Sequence, residues 1–221
     1  MTSPTADEAT RRRLIGVMFG ANAFSSTAYI STITVASIIG ATFTGSPSLA
    51  GVPSTVATIG TAIGAIVLAW AGARIGRRRS HTTGFLVASV GAGGAAYAIA
   101  TESFPVFLAA FFVLGFGRSI SQLARFAAGD LRRESRRGAA ISLIVWASTI
   151  GSVLGPALIG PSGDWVRSLG GSELLGPVLV GVIGFTIATL VSFVGLRPDP
   201  LELAVADTDH EDDLAHPTHI S

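Results

Sequence analysis

Arg118, Ser121, Gln122 and Arg125 form a polar stripe inside an otherwise apolar run. The two arginines are seven residues apart, two helical turns, so all four residues fall on one face of a helix. Such a face is too polar for lipid and must turn to a bundle interior or a water-filled cavity. A guanidinium near the bilayer centre costs about 2.5–3.5 kcal/mol even on the gentler insertion scale. Arg118 lies near the middle of its run and bears that cost most fully. Arg125 is nearer the end and can snorkel. The chemistry that would offset the cost is binding of an anionic group, or tuning of a proton or substrate site. The alternative is a structural arginine held by carbonyls of neighbouring helices. No carboxylate lies deep in any apolar run, so neither arginine has an obvious acidic partner.

A second stripe is Asn22 and Tyr29, also seven apart, with Ser25 and Ser26 between them. These groups either face the same cavity or satisfy each other within the bundle. Trp146 either lines a cavity or serves as packing. Other chemistries have less behind them. Cys is absent, which excludes disulfides, thiolate metal sites and thiol nucleophiles. Gly160–Gly163 offers a G-x-S-G match around Ser162, but Gly, Pro and Ser at a run's end are expected to make a turn. No apolar run contains a histidine to serve as its base, and His81 is expected in a basic loop. His210, His216 and His219 either bind a metal or simply belong to a solvated tail. The chain is read as a non-enzyme without a cofactor or metal.

The elements that must position these residues follow from hydropathy. The chain has 221 residues, 49% hydrophobic and 13% charged, and no charge occurs from Leu14 to Ala73. One bilayer span needs roughly 20 apolar residues, so this is an integral membrane protein. Six spans are expected, at about Leu14–Ala41, Ala50–Ala73, Thr82–Thr101, Ser103–Gly129, Ala139–Gly160 and Leu174–Leu196. Lipid offers backbone amides no partner, so each is a helix. Gly60 with Gly64, and Gly151 with Gly155, are small-xxx-small pairs suited to tight helix contacts. The second outer connection is expected as a tight turn near Glu102, and the third, Pro161–Glu173, as a loop.

All fifteen cationic side chains are arginines, and they cluster. With the N-terminus inside, the inner regions hold Arg11–Arg13, Arg74 with Arg77–Arg79, Arg132, Arg133, Arg136, Arg137 and Arg197. The outer loops hold Arg167 alone. The positive-inside rule then places both termini in the cytoplasm of a multi-pass inner-membrane protein. The expected organisation is an N-terminal segment 1–13, a six-helix domain 14–196 and an acidic, disordered tail 197–221.

Four segments resemble the major facilitator superfamily. Ala69–Arg79, AWAGARIGRRR, is similar to its loop signature G-x-L-x-D-R-x-G-R-R, with Arg74, Gly76, Arg77 and Arg78 matching. Ala69, Ala71 and Ala73 replace the leading Gly, the Leu and the Asp, which weakens the family's charge latch to its other half. Ala127–Gly138, AAGDLRRESRRG, resembles the end of the fourth span, and the resemblance implies a pairing of Arg77 with Asp130. Gly151–Gly160, GSVLGPALIG, resembles the fifth-span antiporter motif through Gly151, Gly155 and Pro156, with Ile159 in place of one Gly. LRPDP at Leu196–Pro200 resembles the start of the central loop. The fourth-span Arg and Gln-Gly motif is not matched, since Arg118 and Gln122 are four apart rather than three.

The resemblance covers roughly residues 10–200 and implies an all-α membrane fold, a 3+3 inverted repeat of six helices forming one half of such a transporter. It implies proton-coupled efflux of a small drug-like molecule or metabolite by alternating access, tilted towards export by the antiporter motif. The substrate site would comprise Asn22, Tyr29, Arg118, Gln122 and Arg125. The expected partners are a small-molecule substrate, protons, the bilayer and a second six-helix half, either another copy or a separate chain. The alternatives are an inactive fragment or a non-transporting membrane assembly subunit.

Overall fold

The computed structural model describes residues 4–130 and 134–199, with side chains described over 8–129 and 138–199. The described residues form seven α-helices: α1 Pro4–Thr44, α2 Val52–Ile75, α3 Arg77–Ala100, α4 Phe104–Asp130, α5 Glu134–Ala157, α6 Ile159–Ser168 and α7 Leu175–Gly195. All but α6 are long and apolar enough to cross a membrane. The six expected spans are therefore the six long helices, with ends shifted by a few residues except that α1 begins ten residues earlier, at Pro4. Gly45 ends α1 with φ 62°, and Glu102 carries φ 49° in the expected tight turn between α3 and α4.

Two expectations are corrected. Pro161–Glu173 is not all loop, because α6 runs through Ser168. The segment is amphipathic: Gly163 and Val166 are buried while Asp164 and Arg167 are exposed. Pro161 falls in the first turn, where a missing N–H breaks no helical bond. Arg167 donates to Asp164 at 2.8 Å and to Glu173 at 2.7 Å, and the Glu173 bond pushes its pKa up. His81 is not in a loop either; α3 begins at Arg77 and buries the imidazole.

The helix pairings have the symmetry of an inverted repeat. α1 packs on α5 as α4 packs on α2, and α1 packs on α7 as α4 packs on α3, while α3 and α7 pack on each other. Exchanging α1, α2, α3 with α4, α5, α7 maps these contacts onto themselves. Lipid is as apolar as leucine, so close van der Waals approach must hold such a bundle together. Glycines provide it. Gly60 and Gly64 of α2 lie against the backbone of Phe112 and Phe116 in α4. Gly151 and Gly155 of α5 lie against Ser26 and Ile30 of α1, where a Cβ at Gly155 would come within 2.7 Å of the Ile30 Cβ.

Buried apolar side chains fill the bundle in three clusters along its length. One contains Val35, Ile39, Phe107 and Phe111; a central one Phe85, Leu114, Ile120 and Phe185; the third Leu14, Met18, Ile144 and Leu196. Beyond α7, Asp199 packs against the start of α3.

Candidate functional site

The polar centre lies where α1 crosses α4. The two helices run antiparallel, so Ser25 and Tyr29 of α1 meet Ser121 and Arg118 of α4 in reverse order. Ser25 and Ser121 share a hydroxyl hydrogen bond of 2.7 Å. One turn further on, the Arg118 guanidinium lies over the Tyr29 ring, 4.8 Å from its centroid. Arg118 is midway along α4. Its Nε and Nη1 are buried and have no hydrogen-bond partner among the described residues. Carbonyls of neighbouring helices therefore do not hold these nitrogens, as the structural alternative requires. What remains is a cation near mid-bundle, steadied by an aromatic face, with donors left for an incoming acceptor.

The other candidates are not gathered here. Asn22 is fully buried, and its Nδ2 donates to the Ile144 carbonyl at 3.1 Å and to Ser148 Oγ at 2.9 Å, both on α5. Its Oδ1 is buried without a partner among the described residues. Arg125 donates to Gln122 Oε1 along its own helix, and Gln122 is exposed. Trp146 is exposed on α5. An apolar cleft of about 560 Å³ opens between α1, α5 and α7, lined by Phe19, Phe24, Ile150, Leu154 and Ile183 among others. It lies on the face of α1 opposite Ser25 and Tyr29, and contains none of the expected site residues.

At one end of the bundle the loop signature is tied to the chain beyond α7. Arg74 stacks on Trp70 at 4.2 Å. Gly76 adopts φ 95° and opens α3 without any side-chain cap of its own. Asp199 supplies that cap, accepting the backbone N–H groups of Arg77 at 3.0 Å and Arg78 at 3.1 Å. A Cβ on Gly76 would lie 3.1 Å from the Asp199 Cγ and displace that carboxylate, and the positive φ itself favours glycine. In return, Arg78 donates Nε and Nη2 to the Phe193 carbonyl near the end of α7, at 3.1 and 2.9 Å. Each helix end thus receives the charge its dipole favours.

Sequence reasoning missed this exchange. Its only signal was a helix start lacking Ser, Thr, Asp or Asn, together with a distant acid in LRPDP. The side chain of Asp130, the expected partner of Arg77, lies outside the described residues. So do those of Arg132, Arg133, Arg136 and Arg137, and the tail histidines. Ser162 is on α6, its hydroxyl donating to the Ile159 carbonyl at 3.2 Å. Among the described residues no three His, Asp or Glu side chains gather as a metal site.

A sequence profile of the Major Facilitator Superfamily matches residues 17–217. The chain is 29% identical to YddS of Bacillus subtilis (strain 168), described as an uncharacterised MFS-type transporter, over 96% of its own length and 49% of the relative's. It is 30% identical to YdeG of the same organism, also described so, over 92% and 47%. It is 25% identical to the riboflavin transporter RfnT of Brucella anthropi over 88% and 49%. The chain spans about half the length of the curated relatives it matches. Profile, motif order and inverted-repeat packing agree, and the chain belongs to the major facilitator superfamily of membrane transporters.

Proposed function

We propose that the chain acts as one six-helix half of a secondary transporter for a small molecule carrying an anionic group. Arg118 and Tyr29 contact that group at the α1–α4 crossing. The observation that carries this reading is the pair of buried nitrogens on Arg118 that have no hydrogen-bond partner among the described residues. An oxyanion placed there makes charge-assisted hydrogen bonds, roughly twice as strong as neutral ones. Gln122 and Arg125 flank the approach along the same face of α4, and Asn22 fixes α1 against α5.

Export in exchange for protons is the favoured direction. It is supported by the Gly151, Gly155 and Pro156 motif, which brings the α5 backbone against α1 beside Tyr29. The arginine distribution supports cytoplasmic termini. Alternating access needs a second half, which the length of the relatives also favours. A second copy or a separate chain would seat on exposed apolar side chains such as Ile63, Ile66 and Trp70 of α2 and Trp146 and Val153 of α5.

The test is uptake into proteoliposomes under an imposed pH gradient, with the chain alone and with a co-expressed six-helix partner. The panel holds small labelled carboxylates and phosphates, with riboflavin as an uncharged comparison. Gradient-driven uptake of an anion, lost in Arg118→Gln, is expected. Uptake indifferent to that substitution removes Arg118 from the site.

A further inference from the structure

Beside the start of α3 lies a polar pocket of about 510 Å³, lined by Arg78, Arg79 and Arg197 together with Ile75, Gly76, Pro198 and Asp199. Its charges are unbalanced. The carboxylate of Asp199 is occupied by the first N–H groups of α3. The guanidinium groups of Arg79 and Arg197 have no hydrogen-bond or ion-pair partner among the described residues. Phe193 crowds the cations further: Arg78 lies 5.0 Å and Arg197 5.6 Å from the centroid of its one ring. Three guanidinium groups around one carboxylate that is already engaged by backbone N–H groups still repel each other. A multi-oxygen anion seated among them offsets the repulsion and accepts charge-assisted hydrogen bonds.

The surroundings indicate where such an anion comes from. The pocket is at the ends of two membrane-spanning helices, where the hydrocarbon core gives way to headgroups. Exposed apolar side chains run from it along both helices into the span: Leu86 and Val90 on α3, and Leu190 and Val194 on α7. A free phosphate would use only the arginines. A phospholipid uses the arginines for its headgroup and the apolar strip for its acyl chains.

We infer that this pocket is a binding site for the phosphate of an anionic phospholipid, held by Arg78, Arg79 and Arg197 against α3 and α7. An arginine near an anionic membrane surface contributes about a fivefold factor in affinity. Removing two weakens the site about 30-fold.

The experiment is native mass spectrometry of the full chain in detergent, titrated with phosphatidylglycerol, with phosphatidylcholine and with inorganic phosphate. The intact chain is expected to retain phosphatidylglycerol in preference to phosphatidylcholine. The double variant R79Q/R197Q is expected to lose that preference, R79K/R197K to recover it, and R167Q, at the other end of the bundle, to keep it. Equal retention of the two lipids by the intact chain overturns the inference. So does full retention by R79Q/R197Q, failure of the lysine pair to restore binding, or an equal loss in R167Q. Displacement of the lipid by equimolar inorganic phosphate refutes the phospholipid as the source.

Discussion

Replacing Arg118 with methionine separates a binding arginine from a structural one by the sign of the stability change. Methionine keeps an unbranched side chain of similar reach without the charge. In the empty protein, Nε and Nη1 make no hydrogen bonds among the described residues, so the substitution breaks none there. It removes a mid-span charge that costs about 2.5–3.5 kcal/mol. It also loses the stacking on Tyr29, worth up to about 2 kcal/mol when desolvated. With the stacking at its full value, the net expectation is a more stable empty protein, by about 0.5–1.5 kcal/mol. A structural arginine behaves in the opposite way, because each lost hydrogen bond to a charged group costs about 1.5–3 kcal/mol. The assay is reversible unfolding in mixed micelles, titrating sodium dodecyl sulfate and following tryptophan fluorescence, and it needs no knowledge of the substrate. Transport by the same variant should fall, since losing the anion's charged hydrogen bonds weakens binding roughly 10- to 150-fold. A variant less stable than the parent by 1 kcal/mol or more would refute the reasoning, whatever its transport.

Other expectations follow from single contacts. Gly155→Val forces a side chain into Ile30 at the α1–α5 crossing and should cost about 1–3 kcal/mol by the same unfolding assay. Asp199→Ala removes the cap of α3 and should cost about 1 kcal/mol. Gly76→Ala should cost about 1–2 kcal/mol for its left-handed backbone alone; if both are silent, the α3–α7 exchange does not contribute to stability. Because the chain has no native cysteine, orientation can be read from single replacements. In intact cells an impermeant maleimide should label Ser168→Cys and spare Gly138→Cys, and the reverse result inverts the topology.

Much of the fold was legible because a bilayer simplifies the physics. Only helices satisfy backbone amides in lipid, so the length of each apolar run identified α1–α5 and α7. The same logic isolated Arg118, since a charge in such a run stands out against everything around it. The helix period placed Ser121, and on α1 Ser25 and Tyr29, on faces that do meet. The α6 helix was less visible, because it is short, polar and dense in Gly and Pro, where local composition points to a turn.

What the sequence could not decide is which polar group finds which partner. Asn22 and Tyr29 share a helix face by spacing, yet Asn22 bonds α5 while Tyr29 meets α4. Arg125 looks equivalent to Arg118 by pattern, yet it has Gln122 within reach and Arg118 is left with a ring. Asp199 closes the start of α3 from 122 residues beyond Arg77. Spacing along a helix is local and follows from 3.6 residues per turn. Partnership between helices depends on crossing points set by glycine contacts such as Gly151–Ser26, and on which chain end reaches which helix end. The sequence alone therefore determined the spans and the suspicious charge. Only the tertiary packing decided that this charge has two buried nitrogens without a partner among the described residues.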